Sequence, residues 1–186
     1  MTEEKEIIIN IANLMSSYHK KFSNKSYSET DQTNDLLMEV FNISQELKFE
    51  NKQYWGRELG MCWQNLVIEC CKDIDGYKPA IKVGGDEPAD LIVNEYAIDT
   101  KYRVGSGDSG TLKKFKKYGQ DLIDMGYKPI MLFVREDNLP AAITAMKVGK
   151  WKILTGEDSF NFIEKISGFD LRSHLVSLKG QFRIIR

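Results

Sequence analysis

The residues best placed to do chemistry lie on two short apolar runs, ADLIV at 89–93 and YAIDTK at 96–101. A two-residue turn at Asn94-Glu95 sets Val93 against Tyr96, Ile92 against Ala97, Leu91 against Ile98, and Asp90 against Asp99. Directly opposed residues of an antiparallel pair have Cβ atoms about 4.5–5.5 Å apart, so this register predicts two carboxylates at close quarters. Period-two alternation adds Lys101 to the Asp99 face and turns Ile98 and Thr100 the other way. Two such carboxylates repel each other unless a cation lies between them. A hard divalent cation such as Mg²⁺ is held by one or two carboxylates together with backbone oxygen and water. It stabilises the charge of a phosphate under attack by water and helps generate the nucleophile. A lysine alongside can orient that water, stabilise the phosphorane-like charge, or serve as a base if its pKa is depressed. The same spacing also fits two solvated aspartates with Lys101 paired to one of them. Asn-Glu, moreover, is not the Asn-Gly pair that tight hairpins favour.

Several elements must position these strands. Ile7, Ile8, Ile11, Leu14, Met15 and Tyr18 recur at helical spacing and predict a helix over Glu3 to Phe22, followed by a polar loop, SNKSYSETDQTN. Further helices are predicted from Asp35 to Phe49 and from about Gln53 to Asp73. A short strand from Lys78 to Val83 ends in Gly84-Gly85, and the ADLIVN and YAIDTKYR strands follow. Thr111 reads as the N-cap of a helix that reaches Met125 and is stopped by Gly126. PIMLFVRE has the unbroken apolar character of a strand covered on both faces. NLPAAITAMKVG reads as a helix, WKILTG as a strand, EDSFNFIEKI as a helix, and the segment from Phe169 as a helix with an exposed basic tail. The order predicts one α/β domain: a mixed sheet flanked by helices, with a helical N-terminal region (1–50), a core (52–155) and C-terminal helices (156–186).

Pro-Ala-Asp at 88–90, followed by a strand bearing Asp-Thr-Lys at 99–101, resembles the bipartite motif of the PD-(D/E)xK nucleases. The following helix and the PIMLFVRE strand agree with the order of core elements in that family, and the resemblance covers residues 52–155. It implies a restriction-endonuclease-like fold, Mg²⁺ as cofactor, and Asp90 and Asp99 as metal ligands with the Thr100 carbonyl as a third. It also implies Lys101 as the water-orienting or charge-stabilising residue, and a further acidic residue on the preceding helix. Glu58 fits that place, with Glu69 as the alternative. Ala89, between Pro88 and Asp90, departs from the strict motif. Size and the helical N-terminal region look like the small subunit of a heterodimeric type IIS restriction endonuclease. That likeness implies double-stranded DNA as substrate and a larger, sequence-recognising nicking subunit as partner. A homodimeric repair or junction-processing nuclease and a non-catalytic DNA-binding subunit are the alternatives.

GSGDSG at 105–110 spells GxGxxG, but the strand before it carries Asp99, Lys101 and Arg103, and the helix after it begins LKKFKKYGQ. A dinucleotide fingerprint needs an apolar strand and a helix packed closely on the sheet, so no nucleotide cofactor is expected. Arg103, Lys113, Lys114, Lys116 and Lys117 form the densest basic stretch near Asp99, with Gln120 one turn on. Phosphate contact and a solvated helix face are both open to them. The net charge of −1 advertises no polyanion partner by itself. Three cysteines and two distant histidines without CxxC make a zinc site improbable and reduced thiols the expectation. The acidic N-terminus does not read as a signal peptide, and no run of about 18 apolar residues occurs. A cytoplasmic protein without membrane contact is therefore expected.

Overall fold

In the computed structural model the described residues are 33–184, except 106, together with His19. The helix expected over Glu3 to Phe22 and most of the polar loop after it lie outside them. The first helices are α1 (Leu36–Phe41) and α2 (Gln45–Glu50). One helix was expected there, and the chain breaks it because Asn42 turns left-handed (φ 54°) and Ser44 caps α2 by accepting from the Leu47 N–H. The long α3 (Lys52–Cys71) buries Trp55, Leu59, Trp63, Val67 and Cys71, one residue per turn. That stripe lies on the sheet, where the Trp63 indole N–H donates to the Leu132 carbonyl at 3.1 Å.

Strands β1 (Tyr77–Val83), β2 (Asp86–Val93) and β3 (Tyr96–Lys101) form an antiparallel meander. Helix α4 (Ser109–Asp124) crosses back to β4 (Lys128–Phe133), and α5 (Pro140–Val148) leads to β5 (Lys152–Thr155). The sheet order is β1-β2-β3-β4-β5, with β3, β4 and β5 parallel. Helices α6 (Glu157–Ser167) and α7 (Leu171–Ser177) follow. The fold class is therefore α/β, a five-stranded mixed sheet flanked by seven helices among the described residues.

Two cores sandwich the sheet. Residues of α1, α3, α6 and α7 pack against Leu91, Ile98, Ile130 and Leu132 on one face. On the other, Phe115 and Leu122 of α4 and Ala142, Ala145 and Met146 of α5 cover Ile92, Ala97, Met131 and Phe133. α4 and α5 approach closely at Gly119, where a Cβ would lie 1.9 Å from the Gly149 carbonyl oxygen. The lysines of α4 thus face outward while its apolar stripe is buried.

Candidate functional site

The hairpin has the expected register. Val93 pairs with Tyr96, Ile92 with Ala97 and Leu91 with Ile98, around a turn in which Asn94 takes φ 53°. Asparagine is among the few non-glycine residues that tolerate this region, which is how Asn-Glu closes so tight a turn. Regular pairing stops at Leu91–Ile98, one step short of Asp90 and Asp99. There the Asp90 carboxylate replaces the ladder: its Oδ2 accepts from the Thr100 N–H at 2.7 Å and from the Thr100 hydroxyl at 2.6 Å.

Asp99 and Lys101 follow Ala97 on the α4–α5 side of β3, while Thr100 follows Ile98 toward α3. Asp99 is 8% exposed. The Lys101 ammonium donates to Asp99 Oδ1 at 2.6 Å and to the Thr100 carbonyl at 3.1 Å. Burial, and after it the Asp90 charge, push the Asp99 carboxyl up to about 6 against the pull of Lys101. Burial opposes the Lys101 ammonium, but the Asp99 and Asp90 charges and the Asp99 hydrogen bond outweigh it and raise its pKa. Lys101 is thus held as an ammonium and not as a base.

The helix-borne partner differs from the expectation. Glu58 is exposed and pairs with Arg57 at 2.9 Å, and Glu69 pairs with Lys72 at 2.6 Å. The α3 residue that reaches the site is Gln64, whose Nε2 donates to Asp90 Oδ1 at 2.8 Å. At about 100° per residue, Glu58 and Glu69 share one flank of α3, and Gln64 lies roughly 120–140° away from both. Asp90, Asp99, Lys101 and Thr100 are therefore brought together, and Glu58 is not joined to them by any hydrogen bond or ion pair among the described residues. Gln64 carries no charge, so a search for acidic residues passes over it.

Most of the basic residues are engaged elsewhere. Arg103 donates to the Asp137 carboxylate at 2.8 Å and to its carbonyl at 2.9 Å. Lys114 pairs with Asp86 at 2.9 Å, Lys117 with Asp121 at 2.7 Å, and Gln120 bonds Asp124 at 2.7 Å. Lys113 and Lys116 are exposed on the same helix. The N-cap of α4 is Asp108, not Thr111: its carboxylate accepts from the Thr111 N–H at 2.8 Å, a stronger anchor than a threonine hydroxyl one turn later. Gly105 and Gly110 lie before and within the first turn of α4, and neither has positive φ.

A buried polar network that the sequence did not announce lies at the same ends of β3 and β4. Arg135, 5% exposed, donates to Asp35 Oδ2 at 3.2 Å and to Asp137 Oδ1 at 2.7 Å. The Tyr102 hydroxyl donates to Asp35, and Lys48 donates to the Tyr102 oxygen at 2.5 Å. Burial pushes the Lys48 ammonium down to about 8. These bonds tie α1 and α2 to the strand that carries Asp99.

The oxygens present suit a hard cation. Asp99 Oδ1 and the Thr100 carbonyl converge on one positive centre, which the Lys101 ammonium now supplies, and Asp90 adds a second carboxylate beside them. No cluster of three or more His, Cys, Asp or Glu side chains able to hold a metal occurs among the described residues. The three cysteines are free thiols, with Cys71 pushed by burial up to about 12. No helix among the described residues is long and apolar enough to cross a membrane. No protein-family model matches the chain, and neither a curated protein nor a solved structure does so.

Proposed function

We propose that this chain is the cleavage subunit of a metal-dependent endonuclease acting on double-stranded DNA in the cytoplasm. The observation that carries the reading is the convergence of Asp99 Oδ1 and the Thr100 carbonyl on Lys101 Nζ, beside Asp90, at the frayed end of the β2–β3 ladder. The order α3-β1-β2-β3-α4-β4 around it is also the order that a PD-(D/E)xK nuclease requires. Mg²⁺ held by Asp90, Asp99 and the Thr100 carbonyl would supply charge stabilisation for an attacked phosphate and a water made more acidic.

The chain's own residues do the rest. Asp90 anchors Thr100, and so fixes the carbonyl and the direction of β3 at the site. Asp99, buried and held near a pKa of 6, is a ready acceptor of positive charge. Lys101 remains an ammonium, which suits it to stabilise phosphate oxygens or to orient a water rather than to remove a proton. Lys113 and Lys116, exposed on α4, can meet neighbouring phosphates.

The partner is a larger, sequence-recognising nicking subunit, which makes the enzyme a type IIS restriction endonuclease that cuts one strand with each chain. The described residues form one five-stranded sheet covered by helices on both faces, which supports a reading in which the DNA site is read by a partner. The test is to incubate the pure chain with supercoiled plasmid and Mg²⁺, then repeat with the larger subunit added. The reading predicts weak or no cutting alone and cleavage of one strand at a defined site with the partner. Strong site-specific cutting alone would exclude the partner, and no cutting in either mixture would exclude the nuclease.

A further inference from the structure

Asp90 is held by three donors, and only one of them comes from outside the hairpin. Both Thr100 groups take Oδ2, and Gln64 holds the other oxygen, Oδ1, at 2.8 Å. An ionised carboxylate only accepts hydrogen bonds, so the amide must present its NH₂ and not its carbonyl. Gln64 thus stands where a glutamate of identical shape would place a third negative charge against Asp90 and Asp99.

We propose that Gln64 is a positioning residue that sets the charge of this site: it orients Asp90 through a neutral donor and keeps the carboxylates at two, so that they hold a single divalent cation. The inference rests on the metal-dependent reading above. Two aspartates and the Lys101 ammonium leave one net negative charge, and a third carboxylate would leave two. Oxygen-ligand sites tune their cation affinity largely by the number of charged ligands. Carboxylates that share a site also repel one another until a cation joins them. A neutral amide at position 64 therefore trades cation affinity for a site that tolerates being empty.

The test is calorimetric titration of the full chain with Ca²⁺ and with Mg²⁺, without DNA, for wild type, Gln64→Glu, Gln64→Ala and Asp99→Asn. Wild type is expected to bind one cation and Asp99→Asn to bind much more weakly. Gln64→Glu should bind about tenfold more tightly, or take up a second cation. Gln64→Ala, which keeps two carboxylates, should stay within about threefold of wild type. In thermal melts, Gln64→Glu should melt below Gln64→Ala in EDTA and regain the difference when Ca²⁺ is added, which separates a charge effect from lost packing. Equal affinity of Gln64→Glu and wild type, or equal tightening by Gln64→Ala, overturns the role of Gln64 alone. Absence of cation binding by wild type and all variants overturns the metal-dependent reading, and this inference with it.

Discussion

Replacing Asp99 with asparagine removes a carboxyl group that the fold buries beside a second carboxylate, and the consequence can be read as stability against pH. The group rises from an ordinary 3.8 to about 6 on folding, with burial the first cause and Asp90 a further one. A raised carboxyl binds its proton more tightly in the folded chain than in the unfolded one. Its contribution is therefore fully present below about pH 4 and is lost as pH rises through about 6. At about 1.36 kcal/mol per pH unit, the rise from 3.8 to about 6 amounts to roughly 3 kcal/mol. The carboxyls held below their ordinary range, such as Asp86 and Asp108, act in the opposite direction. Only the difference between wild type and variant isolates Asp99. Urea unfolding in EDTA should show Asp99→Asn gaining about 2–3 kcal/mol on wild type between about pH 4 and pH 7.5. The pull of Lys101 acts only on the ionised carboxylate, and it is already contained in the rise to about 6. If the two proteins keep a constant difference across the range, Asp99 is not held against its charge and the electrostatic account of the site fails.

Three further outcomes are expected. Thr100→Val removes the 2.6 Å hydroxyl bond to Asp90 while keeping the shape. It should lower stability by about 1–2 kcal/mol, the loss of a bond to a charged group less the gain of a buried methyl, seen as a fall in the urea midpoint at unchanged slope. Lys101→Met frees the Asp99 and Thr100 oxygens that the ammonium now occupies, so Ca²⁺ binding should tighten by about tenfold in calorimetry while DNA cleavage is lost. Lys113→Glu with Lys116→Glu should weaken DNA binding and reduce the slope of log affinity against log salt by about 2 if both meet phosphate, whereas an unchanged slope would make them a solvated face.

What could be read from the sequence follows the reach of local rules. The register of the β2–β3 hairpin followed from two short apolar runs separated by a two-residue gap, which alone sets Val93 against Tyr96 and Leu91 against Ile98. That register was enough to place Asp90, Asp99 and Lys101 together. The break between α1 and α2 was missed because Leu36, Leu37, Val40, Phe41 and Ile43 continue a helical pattern across it, and the capping by Asn42 and Ser44 outweighs that pattern. Gln64 was missed for a different reason. Residues 58, 64 and 69 all flank the buried stripe of α3, and only the docking of that helix on the sheet decides which flank meets Asp90. The Asp35–Tyr102–Arg135–Asp137 network bonds residues up to 100 positions apart, beyond any local spacing. The glycines that first suggest a cofactor loop precede and open an ordinary helix capped by Asp108.

The most direct measurement is the rate of Mg²⁺-dependent single-strand cleavage by wild type and by Asp99→Ala, each mixed with the larger subunit and matched for folded protein by circular dichroism. The account predicts that the variant loses at least about a hundredfold in rate for the strand cut by this chain, while the partner's nick persists. It also predicts that EDTA stops the wild-type reaction. Cleavage of that strand by Asp99→Ala within about threefold of wild type would contradict it, and the Asp90–Asp99–Lys101 cluster would then not be the catalytic site.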